Sequence, residues 1–111
     1  MKVRVYSGKD GQSHFEDLPL PTGPEGRSPW QAATGISFHQ HKPGWSMDWH
    51  NAPRRQYVII LAGEVEYGVG DGTVRRMGPG DVLLAEDLTG RGHTARDVAG
   101  EMRVSVAIPL A

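Results

Sequence analysis

The chain has 111 residues, no cysteine, and a formal net charge of −1 from 12 basic and 13 acidic side chains. That length suits one domain with its own core, and the missing cysteines exclude disulfides and thiolate metal sites. Interspersed, nearly balanced charge argues against a surface that tracks nucleic-acid phosphates. No stretch reaches the roughly 18 consecutive apolar residues of a membrane span. Met1 to Tyr6 lacks the apolar run of a secretory leader, so a cytoplasmic protein with no membrane partner is expected. The 15 glycines and 8 prolines are spread along the chain, as many short strands joined by tight turns require.

In chain order, Lys2 to Tyr6 alternates and is β-rich, so it predicts a first strand. Ser7 to Gly11 is turn chemistry, and Ser13 to Leu18 predicts a short extended piece. Leu18 to Pro29 carries four prolines and two glycines, which exclude a central strand or a helix and predict a surface loop. Gln31 to His41 predicts the next strand, with Ile36, Phe38 and Gln40 on one face and Ser37, His39 and His41 on the other. Pro43-Gly44 turns the chain into Trp45 to His50. Arg55 to Leu61 predicts a central strand. Glu64 to Gly70 places Val65, Tyr67 and Val69 on one side. Asp71-Gly72 predicts a type I′ hairpin into Thr73 to Met77. Gly78-Pro79-Gly80-Asp81 turns into Val82 to Ala85, and His93 opens a further strand that Ala99-Gly100 breaks. Glu101 to Ile108 is the last, with Met102, Val104, Val106 and Ile108 on one face. No window carries a helical period, so the chain predicts an all-β sandwich or barrel.

The stretch from Gly44 to Gly63 organises the rest. Strand side chains alternate faces. If register survives Pro53, then His50, Ala52, Arg54, Gln56, Val58 and Ile60 share one side. That is a polar cluster over an apolar floor, the usual make-up of a small-molecule pocket. Trp45 and Trp49 fall on the opposite parity, which predicts an inter-sheet core or a dimer contact. His39 and His41 share a face at a metal-like spacing, with a solvated strand edge as the competing explanation.

Gly44, His50, Gln56 and Gly63 resemble the first cupin motif. Pro79-Gly80-Asp81, Val82 to Ala85 and His93 resemble the second. The likeness runs from about Gly35 to Ile108 and implies a single cupin-type jelly-roll β-barrel domain over 1–111, with 1–30 as an N-terminal strand and loop and 31–111 as the barrel. Three positions depart from the motifs: Ala52 stands where a second histidine is usual, Gln56 where a glutamate is usual, and Glu86 where a proline is usual.

The resemblance carries over His50 and His93 as candidate metal ligands, with Gln56 as a substituted position. Two imidazoles and a neutral amide make a weak set for a divalent ion. The carboxylate would have to come from Asp48, which shares the parity of His50, or from Glu86 or Asp87; otherwise His39 or His41 would have to swing in. The expected state is therefore free of cofactor, with iron, manganese, nickel or zinc as the alternative. A metal-free cluster still suits chemistry. His50 and His93 would transfer protons near neutral pH. Gln56 would orient a carbonyl or hold an oxyanion. Arg54, if inward, would clamp a carboxylate. Two function classes follow: an enzyme acting on a small oxygenated organic molecule as a lyase, isomerase, cyclase or oxygenase, or a non-catalytic binding or sensing module. A homodimer is expected, with Lys2 to Tyr6 extending a neighbour's sheet.

Overall fold

The computed structural model describes residues 1–21, 23–98 and 100–111. Ten strands follow in order among them: β1 Lys2–Ser7, β2 Ser13–Asp17, β3 Ser37–His41, β4 Ser46–His50, β5 Gln56–Ala62, β6 Val65–Gly68, β7 Val74–Met77, β8 Val82–Glu86, β9 His93–Asp97 and β10 Arg103–Pro109. The predicted Leu18–Pro29 loop carries one 3₁₀ turn, Pro24–Gly26, and its Thr22 lies outside the described residues, as does Ala99 of the predicted break before β10. A six-stranded sheet in the order β2-β1-β8-β5-β10-β3 faces a four-stranded sheet in the order β4-β9-β6-β7, and no ladder among the described strands joins the two. The architecture is an all-β jelly roll whose sheets stay unclosed.

Register explains which side chains form the core. β1 runs parallel to β8 and pairs Val3 with Leu83 and Val5 with Ala85. Across the interior, β6 supplies Val65 and Tyr67. Val3, Val5, Ile60, Val65, Met77 and Leu83 have essentially no exposed surface. Each such burial contributes about 1.5–3 kcal/mol, and together they form the floor beneath the open end of the roll.

Three expectations change. Lys2 to Tyr6 is no free edge for a neighbour, because β1 lies between β2 and β8. Its Val3 and Val5 find apolar partners inside their own sheet, which an N-terminal arm separate from the barrel would forgo. The predicted Gln31–His41 strand shortens to Ser37–His41; upstream, only an isolated bridge from Ala33 to Leu110 ties the chain to β10. The hairpin at Asp71-Gly72 is not type I′, which needs positive φ at both residues. Only Gly72 is left-handed, at φ 89°. The Gly72 N–H donates to the Val69 carbonyl at 3.1 Å, and the Asp71 carboxylate accepts from the Thr73 N–H at 2.8 Å. The loop is a type I turn followed by a left-handed glycine.

Ile60 sits at the centre of the floor, so Ile60→Ala should lower unfolding free energy by about 2–5 kcal/mol. Urea denaturation of the two proteins measures this, and a loss below about 1 kcal/mol would show that Ile60 is not held in a close-packed interior.

Candidate functional site

Above that floor the sheets part around a cavity of about 440 Å³. His50, Ala52, Gln56 and Val58 all line it, as strand parity predicts, and so does His93 from β9. The His50 and His93 rings lie 4.4 Å apart between centroids.

Each ring is pinned through Nδ1. The His93 Nδ1–H donates to Asp87 Oδ2 at 2.6 Å, and the Ser13 hydroxyl donates to the same oxygen at 2.7 Å. Asp87 and Ser13 have no exposed surface, and His93 has almost none. A carboxylate only accepts, so the proton of neutral His93 resides on Nδ1 and its Nε2 keeps a lone pair. The His50 Nδ1–H donates to the Asp48 carbonyl at 2.7 Å, which likewise leaves the Nε2 of His50 unprotonated. Two imidazoles therefore present basic nitrogens from one small region. The other oxygen of Asp87 has no partner among the described residues. Leaving it so costs about 1–3 kcal/mol.

The loop after β8 sets this geometry. The Asn51 amide donates to the carbonyls of Asp87, Thr89 and Gly90 at 3.2, 3.0 and 3.1 Å, so the segment after His50 holds the segment before His93. Gly92 is left-handed at φ 82°, and a Cβ there would meet the His50 carbonyl oxygen at 2.0 Å. Only glycine lets the two backbones pass close enough to bring the rings together.

The remaining predicted residues divide. Arg54 does not face inward. It is exposed and reaches the rim, where it donates to Gln56 Oε1 at 3.4 Å; the irregular turn around Pro53 breaks its parity, though not that of Gln56. Arg54 thereby occupies the amide oxygen of Gln56 and leaves its NH₂ group as the donor available to the cavity. Asp48 is also outside. Its side chain lines a separate outer groove and accepts from the Trp49 N–H. The cause is a bulge. The β4–β9 register moves three residues from Met47 to His50 while moving two from Ala95 to His93. The extra residue reverses parity, so Met47 and Trp45 join His50 in the cavity wall while Trp49 turns out under the Arg91 guanidinium at 3.9 Å. Glu86 is drawn to the outer face by Arg4 and Arg55. Burial alone would raise its pKa, but the hydrogen bonds from Arg55 and Arg4 outweigh that and hold it below the usual range.

His39 and His41 both line the cavity, from the edge strand of the large sheet, where His39 is exposed and His41 half-buried. His41 stacks on Trp45 at 4.3 Å and accepts through Nδ1 from Arg103 Nη2. Arg103 itself is 3 % exposed and donates from Nε to Asp97 at 2.6 Å. Sequence reasoning missed Arg103 because β10 reads as an apolar strand by Val104, Val106 and Ile108. The cavity takes the opposite face, with Arg103, Ser105 and Ala107. Burial, then the Arg103 charge, lowers the pKa of His41. Burial pushes the Tyr67 phenol up to about 12, so at neutral pH it stays protonated beside His93.

Among the described residues no three His, Cys, Asp or Glu side chains converge to hold a metal ion. Nδ1-anchored imidazoles are suited to ligation. Asp87, however, is spent on His93, Ala52 offers no donor, and Gln56 is neutral. The residues present do not make up a divalent site.

No protein-family model and no curated protein matches the sequence. Solved structures do match in fold. A Cupin 2 conserved barrel domain protein from Salinispora arenicola aligns at TM-score 0.54 and 23 % identity, over 73 % of this chain and 68 % of that one. A conserved protein with a double-stranded β-helix domain from Klebsiella pneumoniae aligns at 0.52 and 22 %, over 79 % and 81 %. The cupin domain of Cnp3 from Schizosaccharomyces pombe aligns at 0.52 and 13 %, over 89 % and 72 %. The fold is that of the cupins.

Two expectations follow from the site. Because the fold disfavours protonated His41, its contribution to stability is complete above the unfolded value near 6.5. It is lost as pH falls through the depressed folded value. The fall in Tm between pH 7.5 and 5 should be steeper in the wild type than in His41→Gln, and parallel curves would contradict it. For metal, elemental analysis after purification should find well under one ion per chain, and Ala52→His with Gln56→Glu should raise binding of manganese, iron or nickel. Stoichiometric metal in wild type that survives chelator dialysis would overturn this expectation.

Proposed function

We propose that the chain is a small-molecule enzyme that moves a proton on an oxygenated organic substrate within the inter-sheet cavity, without a metal. The observation that carries this is the Ser13–Asp87–His93 relay, buried from end to end with one imidazole nitrogen left basic. A buried carboxylate behind a histidine orients the ring and stabilises the imidazolium that forms when the ring accepts a proton.

In this scheme His93 Nε2 takes the proton from a carbon beside a carbonyl. The C–H electron pair moves into the carbonyl, and the resulting enolate oxygen is held by the Gln56 NH₂ group. Return of that proton to a neighbouring atom completes an isomerisation. Departure of a β-hydroxyl as water completes a lyase step, the leaving oxygen receiving the proton that His93 took from carbon, which returns the imidazole to its neutral form. Val58, Leu83, Ala85 and Ala95 line the same cavity and would exclude water from the body of the substrate. A cytoplasmic homodimer belongs to the same proposal. Its contact surface would lie not at β1 but at the exposed Trp30, Ile36 and Phe38, which are 100, 63 and 69 % accessible.

Solvent exchange tests the function before any substrate is identified. A panel of small oxo- and hydroxy-compounds incubated in D₂O near neutrality should yield at least one whose C–H exchanges with wild-type protein. Exchange should survive chelators. It should fall about 10²–10⁴-fold in His93→Gln and in Asp87→Asn, where the wrong tautomer is held. Saturable binding with no exchange anywhere in the panel would instead make the chain a binding module.

A further inference from the structure

The end of the cavity away from His50 and His93 carries a second polar cluster that proton transfer does not use. β9 runs from His93 to Asp97, and β4 runs antiparallel beside it. The His50–His93 pair and the Trp45–Asp97 neighbourhood therefore stand about 13 Å apart along the strands, four residues at about 3.3 Å each. At the Trp45 end sit Arg103, Ser105 and His41, all in the cavity wall.

Arg103 is unusual there. A buried ion pair such as Arg103–Asp97 adds little stability over a well-packed apolar pair, so stability alone does not account for it. Its hydrogen bonds show what it is arranged to do. Asp97 takes the Nε edge at 2.6 Å, and the Asp97 N–H is itself tied to the Trp45 carbonyl at 2.9 Å. The Nη end meets only neutral acceptors, Ser105 Oγ at 3.5 Å and the Nδ1 of His41. A guanidinium has five N–H donors. Three have partners among the described residues, and two remain at a cavity wall with 3 % exposure. The Trp45 ring lies 5.0 Å from the guanidinium carbon and stacks on His41, which keeps both side chains from swinging away.

We propose that Arg103 anchors a substrate carboxylate, so that the cavity takes small organic monoanions with the charged end at Arg103. Asp97 orients the guanidinium, and Ser105 and His41 give way to, or share, the incoming oxygens. Trp45, Val58 and Ala107 pack the organic body between. The reacting atom then lies several bonds from the carboxylate, at His93; that half of the assignment rests on the acid/base function proposed above, while the anchor does not. Arg54, the residue whose sequence position suggested this role, lies at the rim and would meet such a ligand only on entry.

The test uses benzoate and hexanoate against benzamide and hexanamide, which match them in shape and lack the charge. Titrations followed by NMR should show saturable shifts at the Arg103 side chain and the Trp45 indole for the acids, with the amides at least about tenfold weaker. Arg103→Met combined with Asp97→Asn removes both charges and leaves neither buried alone, and it should abolish the preference for the acids. Arg103→Lys keeps the charge but loses the planar pair of donors, and it should weaken acid binding about tenfold. Equal binding of acids and amides by the wild type, or a preference that survives the double substitution or is unchanged in Arg103→Lys, would overturn the anchor. Acid binding with no proton exchange in any panel compound would leave the anchor standing and remove the enzyme. Exchange confined to uncharged compounds would do the reverse.

Discussion

The site depends on one buried carboxylate. Asp87 follows β8, lies wholly inside, and collects two hydrogen bonds on a single oxygen, from Ser13 and His93. Each donor comes from a different part of the fold. Ser13 opens β2 in the large sheet, and His93 opens β9 in the small one. With no ladder among the described strands joining the sheets, this three-residue relay is a polar link between them at the cavity end. A charge in a low-dielectric interior makes each of those bonds matter more than a neutral contact would. It also explains why the loop between β8 and β9 must be rigid, and why Asn51 and Gly92 are spent on holding it.

The cavity is polar at both ends and apolar beneath. The His50–His93 pair has basic nitrogens, and Arg103 has spare donors, so acceptors and donors are segregated along the β4–β9 ladder. Between them Leu83 and Ala85 line the cavity from the hydrophobic core, with Val58 packed against it. The same core that packs the two sheets together therefore sets the depth of the pocket. His41 couples the two themes, since burial and then the Arg103 charge disfavour its protonated form.

A single inserted residue redistributes the wall. Without the bulge in β4, Asp48 would stand beside His50 and supply the carboxylate that a divalent ion needs. With it, the Asp48 side chain faces the outer groove and its backbone carbonyl instead receives the His50 Nδ1–H. The same irregularity brings Trp45 inward to stack on His41. One change of parity thus replaces a potential ligand with an aromatic wall and a ring-orienting hydrogen bond.

Much of this was legible in the residues themselves. Alternation placed Val65, Tyr67 and Val69 on one face, put His39 and His41 together, and aligned His50 with Gln56 and Val58, because a strand's period of two is local and survives wherever the ladder is regular. The two motif stretches implied the cupin fold. Other features depended on partners distant in the chain. Ser13 meets Asp87 across 74 residues, and Arg103 meets His41 across 62, so no local pattern marks either pair. The bulge at Asp48 and Trp49 is decided by the register of β9 against β4. Apolar Val104, Val106 and Ile108 concealed that the polar face of β10 is the one turned inward, since which side of a sheet is the interior is settled only when the second sheet packs against it.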